Sequence, residues 1–176
     1  AERAIRKAPE MPVPYQRLAE LEFLLGNYDR VIELQLEALR RGAGTSPQSP
    51  EHLRTLEYLG QAYKSAGRYA EAIDVQSRLV SLSPGYARGR SNLAEMLLAA
   101  PPPHRDAPRA LREAEKAVAL SPAPDGWVYV MQVQALDAMG QRGDAVAAAE
   151  GALRAIHASD PFRATLADML RRMQAP

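Results

Sequence analysis

Apolar residues recur along most of the chain at intervals of three and four residues, the spacing of one face of an α-helix. In the segment 51–66, Leu56, Leu59 and Tyr63 share one face, and the small Gly60 lies beside them. Glycine and proline, which are typical of helix ends and turns, separate such segments. The pattern predicts an all-α protein with helix pairs at 13–25/28–41, 51–66/69–82, 86–99/106–120 and 126–139/142–156, and a last helix at 161–174.

Cap residues and turn glycines mark the predicted helix ends. Ser49 is followed by proline and glutamate, and its side chain can accept a hydrogen bond from a backbone N–H of the first helical turn. Asp106 and Asp160 are predicted to cap the helices that follow them in the same way. Three glycines stand where first helices should stop and are expected in the left-handed conformation: Gly26, Gly67 and Gly140.

Small residues recur at the positions where the two helices of a pair should meet. Helix axes approach closely only where the facing side chains are small, so these positions are predicted to lie between helices. On first helices they are Ala19, Gly60 and Ala94, and on second helices Ala72, Ala110 and Ala145. Because one pair cannot bury both of its faces, neighbouring pairs are expected to stack.

One stretch of the chain carries a recognisable repeat. Its residues are Leu56, Leu59, Gly60, Tyr63, Gly67, Tyr69, Ala72 and Pro84. This arrangement resembles the tetratricopeptide repeat, a helix–turn–helix unit of about 34 residues. The resemblance implies an α-solenoid of antiparallel helix pairs that form a right-handed superhelix, closed by a C-terminal capping helix.

The repeat can be followed along the whole chain. The predicted divisions are 1–11, the tail of a truncated preceding repeat; 12–50, repeat one with a long loop; 51–84, repeat two; 85–123, repeat three with a proline-rich loop between its helices; 124–158, repeat four; and 159–176, the capping helix. Since the first residues are interpreted as the end of a helix, we expect the chain to be a piece of a longer protein. The aromatic residue usual in second helices is replaced by Gln35, Gln76, Ala114 and Ala149.

The resemblance also implies where a partner binds. In such a superhelix the first helices line the concave face, where a peptide, helix or protein partner would lie. The candidate groove residues, on the side of these helices turned away from their own partner helices, are Arg17, Glu20, Arg54, Glu57, Tyr58, Gln61, Arg88, Asn92, Glu95, Trp127 and Met131.

Aromatic residues and methionine are the expected anchors, because they often carry binding energy; here they are Tyr58, Trp127 and Met131. The alternative for Trp127 and Met131 is packing in the core beneath the last helix. The arginines of successive units, Arg17, Arg54 and Arg88, could meet carboxylates, or could belong to a solvated charged face.

One ligand class can be examined directly. Cochaperones of similar fold that grip acidic chaperone tails use lysine and asparagine from successive first helices. Here Gln16 and Glu20 stand at the leading positions, and a glutamate would repel a carboxylate. The sequence therefore favours a different ligand.

Composition and charge exclude several other functions. The formal net charge is +1, so no nucleic-acid partner is expected. There are no cysteines, and His52, His104 and His157 lie roughly fifty residues apart without a second ligand at metal spacing. No apolar run reaches the roughly 18 residues that span a bilayer. We therefore predict no catalytic residue, no cofactor, no metal and no direct membrane insertion.

The sequence as a whole predicts a non-catalytic scaffold for protein–protein interaction. Two alternatives remain open. The chain could be an accessory repeat domain of a larger enzyme or membrane protein, such as a glycosyltransferase, that serves substrate presentation or assembly. It could also be a self-assembling scaffold, and hence a homo-oligomer.

Overall fold

The computed structural model describes residues 2–7, 9–42, 46–121, 123 and 125–175, and within them every regular element is an α-helix. The ten helices are α1 (Glu2–Lys7), α2 (Val13–Leu24), α3 (Tyr28–Arg40), α4 (Pro50–Ser65), α5 (Tyr69–Leu82), α6 (Ala87–Ala99), α7 (Ala107–Leu120), α8 (Gly126–Ala138), α9 (Arg142–Ala155) and α10 (Arg163–Gln174). The all-α prediction is confirmed, and α2 to α10 begin and end within two residues of the predicted ranges. Of the predicted divisions, residues 1 and 8 of the tail, residues 43–45 of the long loop, residues 122 and 124, and the last residue lie outside the described part.

The chain divides into two compact units, Ala1–Pro84 (unit 1) and Gly85–Pro176 (unit 2). In unit 1 each helix packs against the next along the chain, from α1 to α5. In unit 2 the same succession runs from α6 to α10, and α8 also contacts α6 and α10. This stacking of helix pairs is the architecture of an α-solenoid.

Small side chains lie between the helices, as predicted. Ala19, Ala72, Ala94, Ala110 and Ala145 are fully buried, and the predicted glycine of α4 is buried as well. A side chain that ends at Cβ lets two backbones approach, and the larger apolar residues fill the space around the contact.

The predicted helix ends are confirmed at five positions. Gly26, Gly67 and Gly140 follow first helices with φ of 77°, 74° and 73°, the left-handed conformation that glycine adopts without steric cost. The side chains of Ser49 and Asp106 each accept a hydrogen bond from the backbone N–H three residues further on, at 3.2 and 2.9 Å.

The proline-rich loop between α6 and α7 ends a first helix without a glycine. The Arg105 side chain donates from Nε to the carbonyl of Leu98 at 2.9 Å, and the backbone N–H of Asp106 donates to the carbonyl of Leu97 at 3.2 Å. These bonds satisfy two carbonyls in the last turn of α6, which would otherwise lack an intrahelical partner.

Buried polar or small residues stand where the repeat usually carries an aromatic in its second helix. Gln35 and Gln76 are buried in α3 and α5, and Ala114 and Ala149 are buried in α7 and α9. The Oε1 atom of Gln35 has no hydrogen-bond partner within the described residues. This glutamine therefore retains an unpaired acceptor in the interior of unit 1.

The prediction that Asp160 caps the last helix is wrong. Helix α10 begins at Arg163, two residues later than predicted, and no side chain caps it. The carboxylate of Asp160 instead accepts from two backbone N–H groups, that of Phe162 at 2.8 Å and that of Gly126 at 2.9 Å. One carboxylate oxygen therefore bonds next to the start of α10, and the other satisfies an N–H at the start of α8.

Candidate partner-binding surfaces

In unit 1 the two first helices, α2 and α4, are joined by a polar and an aromatic contact. Gln16 Nε2 donates to Thr55 Oγ1 at 2.7 Å, and both side chains are buried. The ring of Phe23 meets Tyr58 edge-on at 6.1 Å between centroids and Tyr28 at 5.5 Å. Edge-to-face pairs of this kind hold the rings in fixed positions, and Phe23, Tyr28 and Tyr58 remain partly accessible.

The six predicted groove residues of unit 1 all have accessible surface. Arg17 and Arg54 are exposed, and the others are half-buried: Glu20, Glu57, Tyr58 and Gln61. Arg17 donates to Glu20 at 2.9 Å within α2. This pairing is consistent with the solvated charged face, because an exposed pair of this kind contributes at most about 1 kcal/mol.

An exposed apolar stripe on α2 was not predicted. Leu21, Leu24 and Leu25 are 53%, 83% and 72% exposed, and Val13 is exposed further towards the start of the helix. We call these four residues the α2 stripe. The sequence held a signal for it, because apolar residues at 18, 19, 21, 23, 24 and 25 are more than one buried helix face can hold.

Within unit 2 a groove of about 560 Å³ lies between α6 and α8. Its apolar side includes Leu98, Trp127 and Met131, and its polar side consists of Glu95, Arg105, Gln134 and Asp137. We call it the α6–α8 groove. It brings together three of the residues predicted from sequence: Glu95, Trp127 and Met131.

A smaller depression of about 280 Å³ lies near the N-terminal ends of the same two helices. Arg88, another predicted residue, lines it together with Ser91, Asp125 and Trp127. Trp127 therefore lines both spaces.

Two predicted residues of unit 2 are buried. Asn92 is 7% exposed and Met131 is 1% exposed. Met131 can therefore offer a ligand only the atoms that form the floor of the groove, which agrees with the core alternative for this residue. Trp127 is half-buried, whereas Val130 of the same helix is buried.

The segment before α10 holds Trp127 in place. The Phe162 ring packs on the indole at 5.4 Å between centroids, with 46° between the ring planes. Asp160 bonds the backbone N–H of Gly126, the residue before Trp127. A Cβ on Gly126 would lie 2.5 Å from Asp160 Oδ1 and 2.7 Å from Phe162 Cβ, so a side chain does not fit there. We call Gly126, Asp160 and Phe162 the Trp127 support.

The charges around the α6–α8 groove are unequal. Two carboxylates, those of Glu95 and Asp137, line it against the single guanidinium of Arg105. Helices α6 and α8 end at Ala99 and Ala138, and both residues also line the groove. Since a helix C-terminus carries partial negative charge, the end of α8 adds to the negative potential of the carboxylates, whereas the end of α6 is bonded by the Arg105 side chain.

In unit 1 one arginine has a perturbed titration. A hydrogen bond to Glu71 at 2.8 Å raises the pKa of Arg68 above its ordinary value. The guanidinium also lies over the Tyr63 ring, 4.7 Å from its centroid. Arg68 is therefore a fixed cation at the start of α5.

Neither a metal site nor a membrane span is found in the described part of the chain. Across those residues, no three histidine, cysteine, aspartate or glutamate side chains are grouped so that they could hold a metal ion. Within the same residues, no helix combines the length and the apolar character needed to cross a membrane.

The stacked helix pairs, the left-handed turn glycines and the buried alanines define the class of protein: an α-solenoid of helical repeats. Residues 10–84 of the chain match the model of the tetratricopeptide repeat family, so this segment is similar to that repeat. No curated protein sequence matches the chain significantly.

Solved structures of the same fold cover most of the chain. A thermophilic tetratricopeptide repeat protein of Thermus thermophilus is 24% identical, with a TM-score of 0.68, over 93% of this chain and 83% of that one. MamA is 19% identical, with a TM-score of 0.73, over 87% and 82%. The TPR2AB domain of yeast Sti1, in a complex with pHSP90, is 16% identical, with a TM-score of 0.65, over 99% and 76%. At these identities the likeness shows the fold alone.

Proposed function

We propose that the chain is a non-catalytic scaffold that binds a protein or peptide partner on the surfaces of its first helices. Tetratricopeptide repeats are generally scaffolds for protein–protein interaction. The observation that carries the proposal is the α6–α8 groove, an open space of about 560 Å³ bordered by Trp127. A half-buried tryptophan beside a groove is the kind of residue on which binding energy concentrates.

In unit 1 the surface of α2 and α4 supports the same proposal. Tyr58 and Phe23 offer partly accessible rings held in fixed positions, and Arg54 offers an exposed guanidinium next to them on α4. Gln16, which stands where a lysine would grip an acidic tail, is buried and bonded to Thr55. We therefore propose a partner other than an acidic chaperone tail.

Selection of peptides from a random phage-displayed library tests this function. The recovered peptides are titrated against the wild type and two variants, Trp127→Ala for unit 2 and Arg54→Glu with Tyr58→Ala for unit 1. We expect at least one variant to weaken binding by about tenfold or more, as truncation of a central binding residue does. Arg112→Glu is the matched control, because Arg112 is exposed on the second helix α7. Failure to recover peptides, or equal binding by both variants and the wild type, would contradict the proposal.

A second candidate function, self-association, is favoured by the α2 stripe. Leu21, Leu24 and Leu25 are large exposed apolar side chains close together at the end of α2, and exposed apolar surface of this kind commonly marks an interaction site. If the stripe joins two copies of the chain, light scattering will give a mass that is a multiple of 19.2 kDa. Leu21→Glu with Leu24→Glu should restore the monomer, while Leu120→Glu, on an exposed leucine of α7, should leave the mass unchanged. A wild type that stays at the monomer mass as its concentration rises would rule this candidate out.

A further inference from the structure

We infer that the α6–α8 groove selects a peptide segment in which an arginine or lysine stands next to an apolar residue. The inference rests on the proposed function, because it names the ligand chemistry of the same groove. Three features of the groove carry it: its apolar residues, its unequal charges and the C-terminal end of α8.

The apolar half of the motif follows from Leu98, Trp127 and Met131. Leu98 lines the groove from α6, and Trp127 and the buried Met131 line it from α8. A partner side chain that covers the indole removes apolar surface of both molecules from water.

The basic half follows from Asp137 and its surroundings. Asp137 is exposed in the last turn of α8, where the helix end also favours a cation. Glu95 makes the second carboxylate of the groove. Arg105 supplies one opposing charge, and its bond to the Leu98 carbonyl holds it at the end of α6. By count, the lining therefore carries two carboxylates against one guanidinium.

Trp127 links the two halves of the motif. An arginine that approaches Asp137 can lie over the indole, which attracts cations through the negative face of its ring. An exposed ion pair and a cation–π contact each contribute modestly, and together they correspond to about a tenfold effect on affinity. A glutamate at the same position of the ligand would instead meet carboxylates and helix C-termini.

The selected peptides provide the test. Trp127 is the single tryptophan of the chain, so its fluorescence reports directly on occupancy of the groove. We expect the peptides that lose binding to Trp127→Ala to be enriched in arginine or lysine beside an apolar residue. Citrulline in place of that arginine should weaken binding about tenfold to the wild type, and much less to Asp137→Asn. Asp144→Asn is the control, because Asp144 is exposed at the start of α9.

The outcomes separate this inference from the proposed function. Peptides that depend on Trp127 but carry no basic residue, or that bind Asp137→Asn as tightly as the wild type, overturn the inference and leave the scaffold function standing. Peptides that depend on neither surface overturn both. If a selection against the Asp137→Lys variant still enriches basic peptides, the inference is also overturned. This readout is an enrichment of peptides and not a loss of binding.

Discussion

Gly126 occupies a position that no other residue can fill without a shift of its neighbours. A Cβ there would meet Phe162 Cβ at 2.7 Å, and that atom is too close to its own backbone to move freely. We expect Gly126→Ala to lower the free energy of unfolding by about 1–3 kcal/mol, the usual cost of overpacking. Urea denaturation measures the change.

Gly151 gives a matched control for that substitution. It lies inside α9, and an added Cβ would have no heavy atom within 4 Å. Gly151→Ala should therefore raise the free energy of unfolding by about 0.5–1 kcal/mol, because alanine loses less backbone entropy in a helix. If both substitutions raise the free energy of unfolding, this outcome contradicts the close packing of Asp160 and Phe162 around Gly126.

Gln35 is a buried polar residue whose side chain is not fully hydrogen-bonded within the described residues. Its Oε1 atom is buried in unit 1 without a hydrogen-bond partner within the described residues. Methionine has a similar shape and no such acceptor, so Gln35→Met should raise the free energy of unfolding by about 1 kcal/mol. Gln35→Ala should lower it by leaving a cavity. A loss of stability with methionine as large as with alanine would mean that the amide is paired.

At the scale of single residues, the sequence predicts roles that depend on residues nearby in the chain and misses contacts with residues far along it. The left-handed glycines and the cap at Asp106 depend on a few neighbouring residues, so their pattern is visible in the sequence. Asp160 has the same local signal as Asp106, but it bonds Gly126, 34 residues earlier in the chain. The bond to this distant N–H depends on the tertiary packing of α8 against the segment before α10, which the local sequence does not show.

At the scale of the helices, Asp106 connects the end of one helix to the start of the next. Its carboxylate caps α7, while its backbone N–H bonds a carbonyl in the last turn of α6. Asp106→Ala removes the cap alone, and it should lower the free energy of unfolding by about 1 kcal/mol. Asp106→Asn keeps an acceptor in the same place and should retain most of that stability. Equal losses for the two variants would contradict the capping role.

The helix pattern was predictable because it repeats, and the surfaces were predictable only in part. Alanine and glycine at fixed intervals identify the faces where helices meet. The periodicity, together with cap and turn residues, predicts the ends of α2 to α10 within two residues of their observed positions. The α6–α8 groove cannot be predicted from this pattern alone, because its shape depends on Arg105 in the loop and on how deeply Met131 is buried. Asn92 lies on a first helix like the other candidates, yet it is buried with only 7% of its surface exposed.

At the scale of the whole molecule, Trp127 connects the segment before α10 with the α6–α8 groove in unit 2. The Phe162 ring packs on Trp127, and the same residue lines both the α6–α8 groove and the smaller depression beside it. Phe162→Leu keeps apolar volume but removes the aromatic contact, which is worth about 1 kcal/mol. We expect the emission of Trp127 to shift to longer wavelength and its quenching by acrylamide to increase, because the indole becomes more accessible.

The chain contains two phenylalanines, and the other one provides the control. Phe23 packs on Tyr28 and Tyr58 in unit 1, so Phe23→Leu removes a similar ring contact away from the tryptophan. Its effect on stability should be comparable, while the emission and quenching of Trp127 stay as in the wild type. If Phe162→Leu also leaves both signals unchanged, the indole is held by the groove alone, and the C-terminal cap has no part in shaping the binding surface.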